Sequence, residues 1–180
     1  MRSFIAIPLP EDLADRLADL AEQIDMGRPV PAENMHVTLA FLDDQSDAAL
    51  ERIHDTLSGI AARPFELVIE GISTLGGATP RIVHAALRHS PELADLHRRI
   101  RSRLHGAGIM LPRERFVPHV TLARLPRHPD AEELARLARF LSAHGTWPGG
   151  AFTVHGFGLF ASHLRPEGPR YEMLAEYSLI

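Results

Sequence analysis

One pentapeptide occurs twice in this chain, and the repeat limits the folds available to it. His36-Val37-Thr38-Leu39-Ala40 returns letter for letter as His119-Val120-Thr121-Leu122-Ala123, 83 residues later. The segments around the two copies follow one order. Phe4 to Leu9 is a short apolar run suited to a strand, and Glu11 to Ile24 carries Leu13, Leu17, Leu20 and Ile24 at helical spacing. Met35 to Leu42 is apolar and β-branched, as strands are. Ser46 can cap a helix bearing Leu50, Ile53, Leu57 and Ile60, and Phe65 to Ile72 alternates like a strand. The second half repeats this with a strand at Ile82–Leu87 and a helix started by Ser90-Pro91-Glu92. A strand follows at Phe116–Arg124, then a helix opened by the Asp130/Glu133 capping box and one more strand at Phe152–Phe160. One α/β unit used twice predicts two lobes about an approximate two-fold axis. With 180 residues the chain reads as a single bilobal domain, its halves roughly 1–78 and 79–180, with the seam near Gly76-Gly77.

The repeat places chemistry as well as structure. Residues i and i+2 of a strand share a face, so His36 projects with Thr38 and His119 with Thr121. Across a pseudo-two-fold, two imidazoles and two hydroxyls meet in one cleft. Paired histidines can act at neutral pH as base and acid together, and two hydroxyls can bind non-bridging oxygens. That set suits in-line displacement at phosphorus, and a reactive cyclic phosphodiester needs no metal. A lone His-x-Thr in an apolar strand is usually packing. Two copies in equivalent places are harder to explain that way, because each unpaired inward polar group costs about 1–3 kcal/mol. The sixth residues of the two segments, Phe41 and Arg124, suit a base stack and a phosphate contact. Both lie five positions after their histidine, an odd offset that points away from the cleft on a straight strand. A bulge or a strand end must re-aim them, or they are structural.

Composition narrows the chemistry further. The chain has no cysteine and no lysine; all 19 basic residues are arginine, against 23 acidic residues, and there are 11 histidines. Thiol nucleophiles, thiolate metal sites, Schiff bases, lysyl-nucleotide intermediates and a Walker A loop are excluded. A net charge of −4 argues against a broad electrostatic nucleic-acid binder, though not against a local arginine patch. No apolar run is long enough for a signal peptide or membrane span, which gives the expectation of a cytoplasmic protein. Among the other histidines, His54 and His97 are expected on solvated helix faces. His84 occupies the repeat position of Ala6 and faces either cleft or core. No histidine or acidic pattern points to a metal site.

The chain resembles the two-histidine (2H) phosphoesterases, specifically the bacterial LigT-like RNA 2′,3′-cyclic phosphodiesterases, also called RNA 2′,5′-ligases. The resemblance runs nearly end to end. It rests on Phe4-Ile5-Ala6-Ile7, on Arg28-Pro29-Val30 leading into Asn34–Leu42, on Phe116–Arg124, and on the tail Phe160–Leu164 with Gly168–Tyr171. It departs at Asp43-Asp44, where such proteins commonly have glycine. The resemblance implies an α+β fold with mainly antiparallel sheets facing a central cleft and helices outside. It also implies that 2′,3′-cyclic phosphate ends of RNA or nucleotides are opened to 2′-phosphates without a cofactor, with 2′,5′ ligation as a reverse activity. Carried over by position, His36 is the proton donor and His119 the proton acceptor. Thr38, Thr121 and Arg124 hold the phosphate, and Phe41 stacks on the base. The near-symmetric segments do not themselves say which histidine is acid and which is base. Two other functions fit the residues: a binding module that holds nucleotide or phospho-RNA without turnover, and an ATP-dependent RNA end-modifying ligase. A monomer without an obligate protein partner is the default for a self-paired chain.

Overall fold

Alternating short apolar strands and amphipathic helices build an α+β fold with a mostly antiparallel sheet. The computed structural model describes residues 1–113 and 115–180. In chain order the elements are β1 (Arg2–Pro8), α1 (Glu11–Glu22), β2 (Arg28–Pro29), a 3₁₀ turn (Ala32–Asn34), β3 (His36–Asp44), α2 (Asp47–Ser58) and β4 (Phe65–Leu75). They continue with β5 (Ile82–Leu87), α3 (Pro91–Gly106), β6 (His119–Arg124), α4 (Ala131–His144), β7 (Gly150–Val154), β8 (Gly156–Arg165) and β9 (Gly168–Ser178). The starts of α2, α3 and α4 are where their caps put them. Ser46 accepts from the Ala49 N–H and Ser90 from the Leu93 N–H, while Asp130 and Glu133 close a reciprocal capping box.

The strand order is β7-β4-β5-β6-β3-β1-β8-β9, with β2 on β6, and every pairing is antiparallel. The order is mirrored about the β3–β6 contact, which gives two four-stranded halves, β3-β1-β8-β9 and β6-β5-β4-β7. One residue pair, Val37 with Val120, joins them. The sequence repeat does not coincide with these halves. β4 ends the first unit yet pairs with β5 of the second, and β8, from the second unit, pairs with β1 of the first. The first unit therefore lends β4 to the other's half of the sheet, and the second lends β8 and β9.

Val37, Leu39, Val120 and Leu122 are buried on one face. They share one core with the helix stripes, among them Leu13 and Leu17 of α1, Ile53 of α2, Ile100 of α3 and Leu137 of α4. The histidine–threonine face of the sheet lies opposite.

Besides the two-residue β2, three elements differ from the sequence reading. The Phe152–Phe160 strand is two strands divided at His155, because β7 pairs with β4 in one half and β8 with β1 in the other. Gly156 permits the switch: a Cβ there would lie 2.8 Å from the Tyr177 carbonyl oxygen. The strand expected from Phe116 pairs only from His119 onward, after Pro118, which has no N–H to donate. β9 is a strand that the sequence reading lacks. It pairs only with β8, so much of it is solvated and its apolar alternation is weak.

Candidate active site

Antiparallel pairing at Val37–Val120 fixes the arrangement of the four repeated polar residues. One step to either side, His36 stands across from Thr121 and Thr38 across from His119, all on the face opposite the two buried valines. The four side chains therefore form a quadrilateral with each imidazole beside a hydroxyl.

Both rings are held by the same device. His36 Nδ1 lies 2.8 Å from the Asn34 carbonyl oxygen, and His119 Nδ1 lies 2.7 Å from that of Val117. A carbonyl only accepts, so each Nδ1 carries the proton and donates it. Each Nε2 is left to take or give a proton elsewhere. Asn34 is itself anchored: its Nδ2 donates to the Pro169 carbonyl at 2.7 Å, which ties this support to the β8–β9 hairpin.

The surroundings of the two rings differ. His36 lies in an aromatic box, stacked on Phe4 with centroids 4.9 Å apart and edge-on to Tyr171 at 5.3 Å. Phe4 in turn stacks on Phe160 at 5.3 Å. Burial in this box lowers the His36 pKa to about 4, helped by the charges of Arg124 and His119 and opposed by the hydrogen bond to Asn34. His119 has a second imidazole as its neighbour. His84 stands edge-on at 5.3 Å and pairs across the ladder with Thr121, as Ala6 pairs with Thr38. His84 is 5% exposed, and its buried Nδ1 has no hydrogen-bond partner among the described residues. Its pKa is lowered, chiefly by burial. Of the two places left open for it, His84 takes the cleft-facing one.

The odd offset of Phe41 and Arg124 is resolved by matching bulges. On β3, Thr38 pairs with Ala6 and Ala40 with Ile5, which leaves Leu39 without a partner. On β6, Thr121 pairs with His84 and Ala123 with Val83, which leaves Leu122 without one. Each extra residue shifts the alternation by one, so Phe41 and Arg124 return to the histidine face. Arg124 acts on the His36 charge from that face. Phe41 is 60% exposed and lines a groove of about 540 Å³ with Thr38, His119, Asp43, Arg2 and Arg101. Thr38, Phe41 and His119 therefore share one groove wall. His36, Thr121 and Arg124 lie outside that wall and join the group through the strand register and the His36 contacts.

One histidine expectation is corrected. His97 is not a solvated helix residue: it stacks face to face on Phe116 at 3.8 Å, and burial together with Arg101 lowers its pKa to about 4. His54 is exposed as expected, and its Nδ1 lies 3.1 Å from the Tyr177 hydroxyl. The sequence reading assigns no separate role to Phe4, Asn34, Phe160 or Tyr171. Their signal is pairwise, because Phe4 faces both Phe41 and Phe160 across its two ladders, and no single-strand periodicity carries it.

Known proteins share this architecture throughout. The model of the 2′-5′ RNA ligase superfamily matches residues 9–165. The chain is 28% identical to the RNA 2′,3′-cyclic phosphodiesterase of Archaeoglobus fulgidus, over 97% of this chain and 98% of that protein. It is 30% identical to the one of Escherichia coli, over 99% of this chain and 96% of that protein. Among solved structures, a Thermus thermophilus protein superposes with a TM-score of 0.80 at 26% identity, covering 99% of this chain and 98% of that one. Through this match, which includes both His-x-Thr strands, the chain belongs to the 2′-5′ RNA ligase superfamily.

Proposed function

We propose that this chain hydrolyses 2′,3′-cyclic phosphate ends of RNA or nucleotides to 2′-phosphates, by acid–base catalysis between two histidines. The observation that carries the reading is the doubled support of the imidazoles. Both Nδ1 atoms are tied to a carbonyl two residues upstream, at 2.8 and 2.7 Å, which leaves both Nε2 atoms free to take or give a proton. The names of the full-length relatives support the same substrate class.

In the proposed step, His119 Nε2 takes a proton from water as the water oxygen bonds to phosphorus. The bond from phosphorus to the ribose 3′ oxygen breaks on the opposite side, and His36 gives that oxygen a proton. The products are a 2′-phosphate and a 3′-hydroxyl. Thr38 and Thr121 donate hydrogen bonds to the non-bridging oxygens, Arg124 offsets the charge that builds on them, and Phe41 stacks on the base. Each proton transfer contributes roughly 10²–10⁴-fold. With a pKa near 4, His36 is neutral at pH 7 in the free protein. The phosphodiester anion is what raises its proton affinity, so the acid is charged as substrate binds. A ribose 5′-hydroxyl in place of water would make a 2′-5′ linkage in the same geometry.

Incubating the purified chain with 2′,3′-cyclic AMP and resolving 2′-AMP from 3′-AMP tests the reading. It predicts 2′-AMP as sole product, with EDTA having no effect. Tight binding without turnover would instead favour a non-catalytic nucleotide-binding module.

A further inference from the structure

The two histidine supports are built differently. The Asn34 carbonyl that holds His36 sits in the 3₁₀ turn, which the Asn34 and Met35 N–H groups close onto the Pro31 and Ala32 carbonyls. Asn34 Nδ2 ties that turn to Pro169 as well. The Val117 carbonyl that holds His119 lies in a stretch outside any helix or strand. Among the described residues, no backbone–backbone hydrogen bond engages residues 110–113 or 115–118. Val117 is exposed, so burial of its side chain does not fix it either. The tether of one imidazole therefore hangs from a segment that its own backbone does not hold. A catalytic group has to be held to within about 0.5 Å.

Two side chains of α3 supply what is missing. His97 and Arg101 are four residues apart, on one face of the helix. Arg101 donates to the carbonyls of Leu111 and Pro112, at 3.5 and 2.5 Å, near the start of the stretch. His97 stacks on Phe116 near its end, with ring centroids 3.8 Å apart and the planes 4° from parallel. Phe116 is the residue before Val117, whose carbonyl accepts from His119 Nδ1 at 2.7 Å. The helix is itself rooted in the core by Leu93, Leu96, Ile100 and Leu104. A continuous series of contacts thus runs from the core through α3, His97 and Phe116 to the His119 ring. An aliphatic side chain would fill the same volume, but a parallel stack also sets the plane of the Phe116 ring.

We infer that His97 is a positioning residue for His119: stacked on Phe116 and assisted by Arg101, it fixes the Val117 carbonyl, which fixes the tautomer and the aim of the base. The inference rests on the proposed reaction for what His119 does, and on the contacts alone for how it is held. His97 also lines the groove, so direct contact with substrate is the competing role.

Three variants separate the two. His97→Ala removes the stack, His97→Leu keeps bulk without a flat ring, and His97→Phe keeps the stack. Circular dichroism checks the fold of each. kcat and KM are measured with 2′,3′-cyclic AMP, and nitrogen NMR of the imidazoles reads the tautomer of His119 in the free chain. The expected result is a kcat about 10–100-fold lower in the Ala and Leu variants, with KM within about threefold, and rescue by His97→Phe. His119 should hold the Nδ1–H form in the wild type and in His97→Phe and a mixture of forms in the other two, while His36 keeps Nδ1–H throughout. Unchanged kcat and tautomer in the folded Ala and Leu variants would overturn the inference. So would a rise in KM at constant kcat, which makes His97 a substrate contact, or a loss that His97→Phe does not restore. If the wild-type chain turns nothing over while the His119 tautomer still depends on His97, the positioning role stands and the proposed reaction falls. Turnover with a tautomer indifferent to His97 is the reverse case.

Discussion

His36 concentrates the chemistry of the site in one measurable property. Its pKa of about 4 lies below the ordinary 6.5 because aromatic burial excludes water. The unfolded chain therefore binds more protons than the folded one between those two values. The His36 contribution to stability is fully present above pH 6.5, falls as pH drops toward 4 and levels off below that. His97, also lowered to about 4, acts in the same direction. Urea midpoints should thus decline as pH falls from neutral toward that value, and His97→Phe, which keeps the stack on Phe116, should flatten part of that slope. A donor role needs the opposite behaviour once ligand arrives. NMR titration of His36 should show its pKa rising by more than about one unit when 2′-AMP is bound. If it stays near 4, the donor role passes to His119 and the two assignments exchange. The pair of histidines and their threonines were legible in the sequence because identical letters recur. The aromatic box and the His84 contact were not, since they join residues from several strands that share no sequence neighbourhood.

At the scale of elements, the matching bulges at Leu39 and Leu122 decide which side chains reach the cleft. A strict two-residue period places Phe41 and Arg124 on the wrong face. The sequence hint was two adjacent apolar residues, Leu39-Ala40 and Leu122-Ala123, each followed by a residue of different character. That hint became decisive only once the ladder register was known. The starts of α2, α3 and α4 were legible to the residue because a side-chain cap is a local hydrogen bond. β9 was not, because an edge strand with much of its surface in water carries little hydrophobic signal. The end of β6 has its own requirement. Gly27 has φ 73°, and a Cβ there would lie 2.2 Å from the Arg124 carbonyl oxygen. Gly27→Ala should therefore cost more than about 1 kcal/mol and lower kcat/KM by displacing the strand end that carries Arg124. Unchanged melting and activity would show that this close approach is unimportant.

The molecule as a whole is held together by exchange. Since β4 joins the half begun by the second unit, and β8 with β9 the half begun by the first, a break at Gly76–Gly77 leaves neither fragment with its own four strands. Fragments 1–78 and 79–180 should each be disordered alone by NMR dispersion and regain structure when mixed. Independent folding of either would contradict the interlocked description. The same exchange brings the two His-x-Thr strands side by side at the centre, where one valine pair joins the halves. Two histidines acting on one phosphorus are the central claim, and product formation from 2′,3′-cyclic AMP tests it most directly. With EDTA present, the wild-type chain should yield 2′-AMP. His36→Ala and His119→Ala, folded by circular dichroism, should each lose roughly 10²–10⁴-fold in kcat. Full activity in either folded variant, or 3′-AMP as the product, would contradict the account.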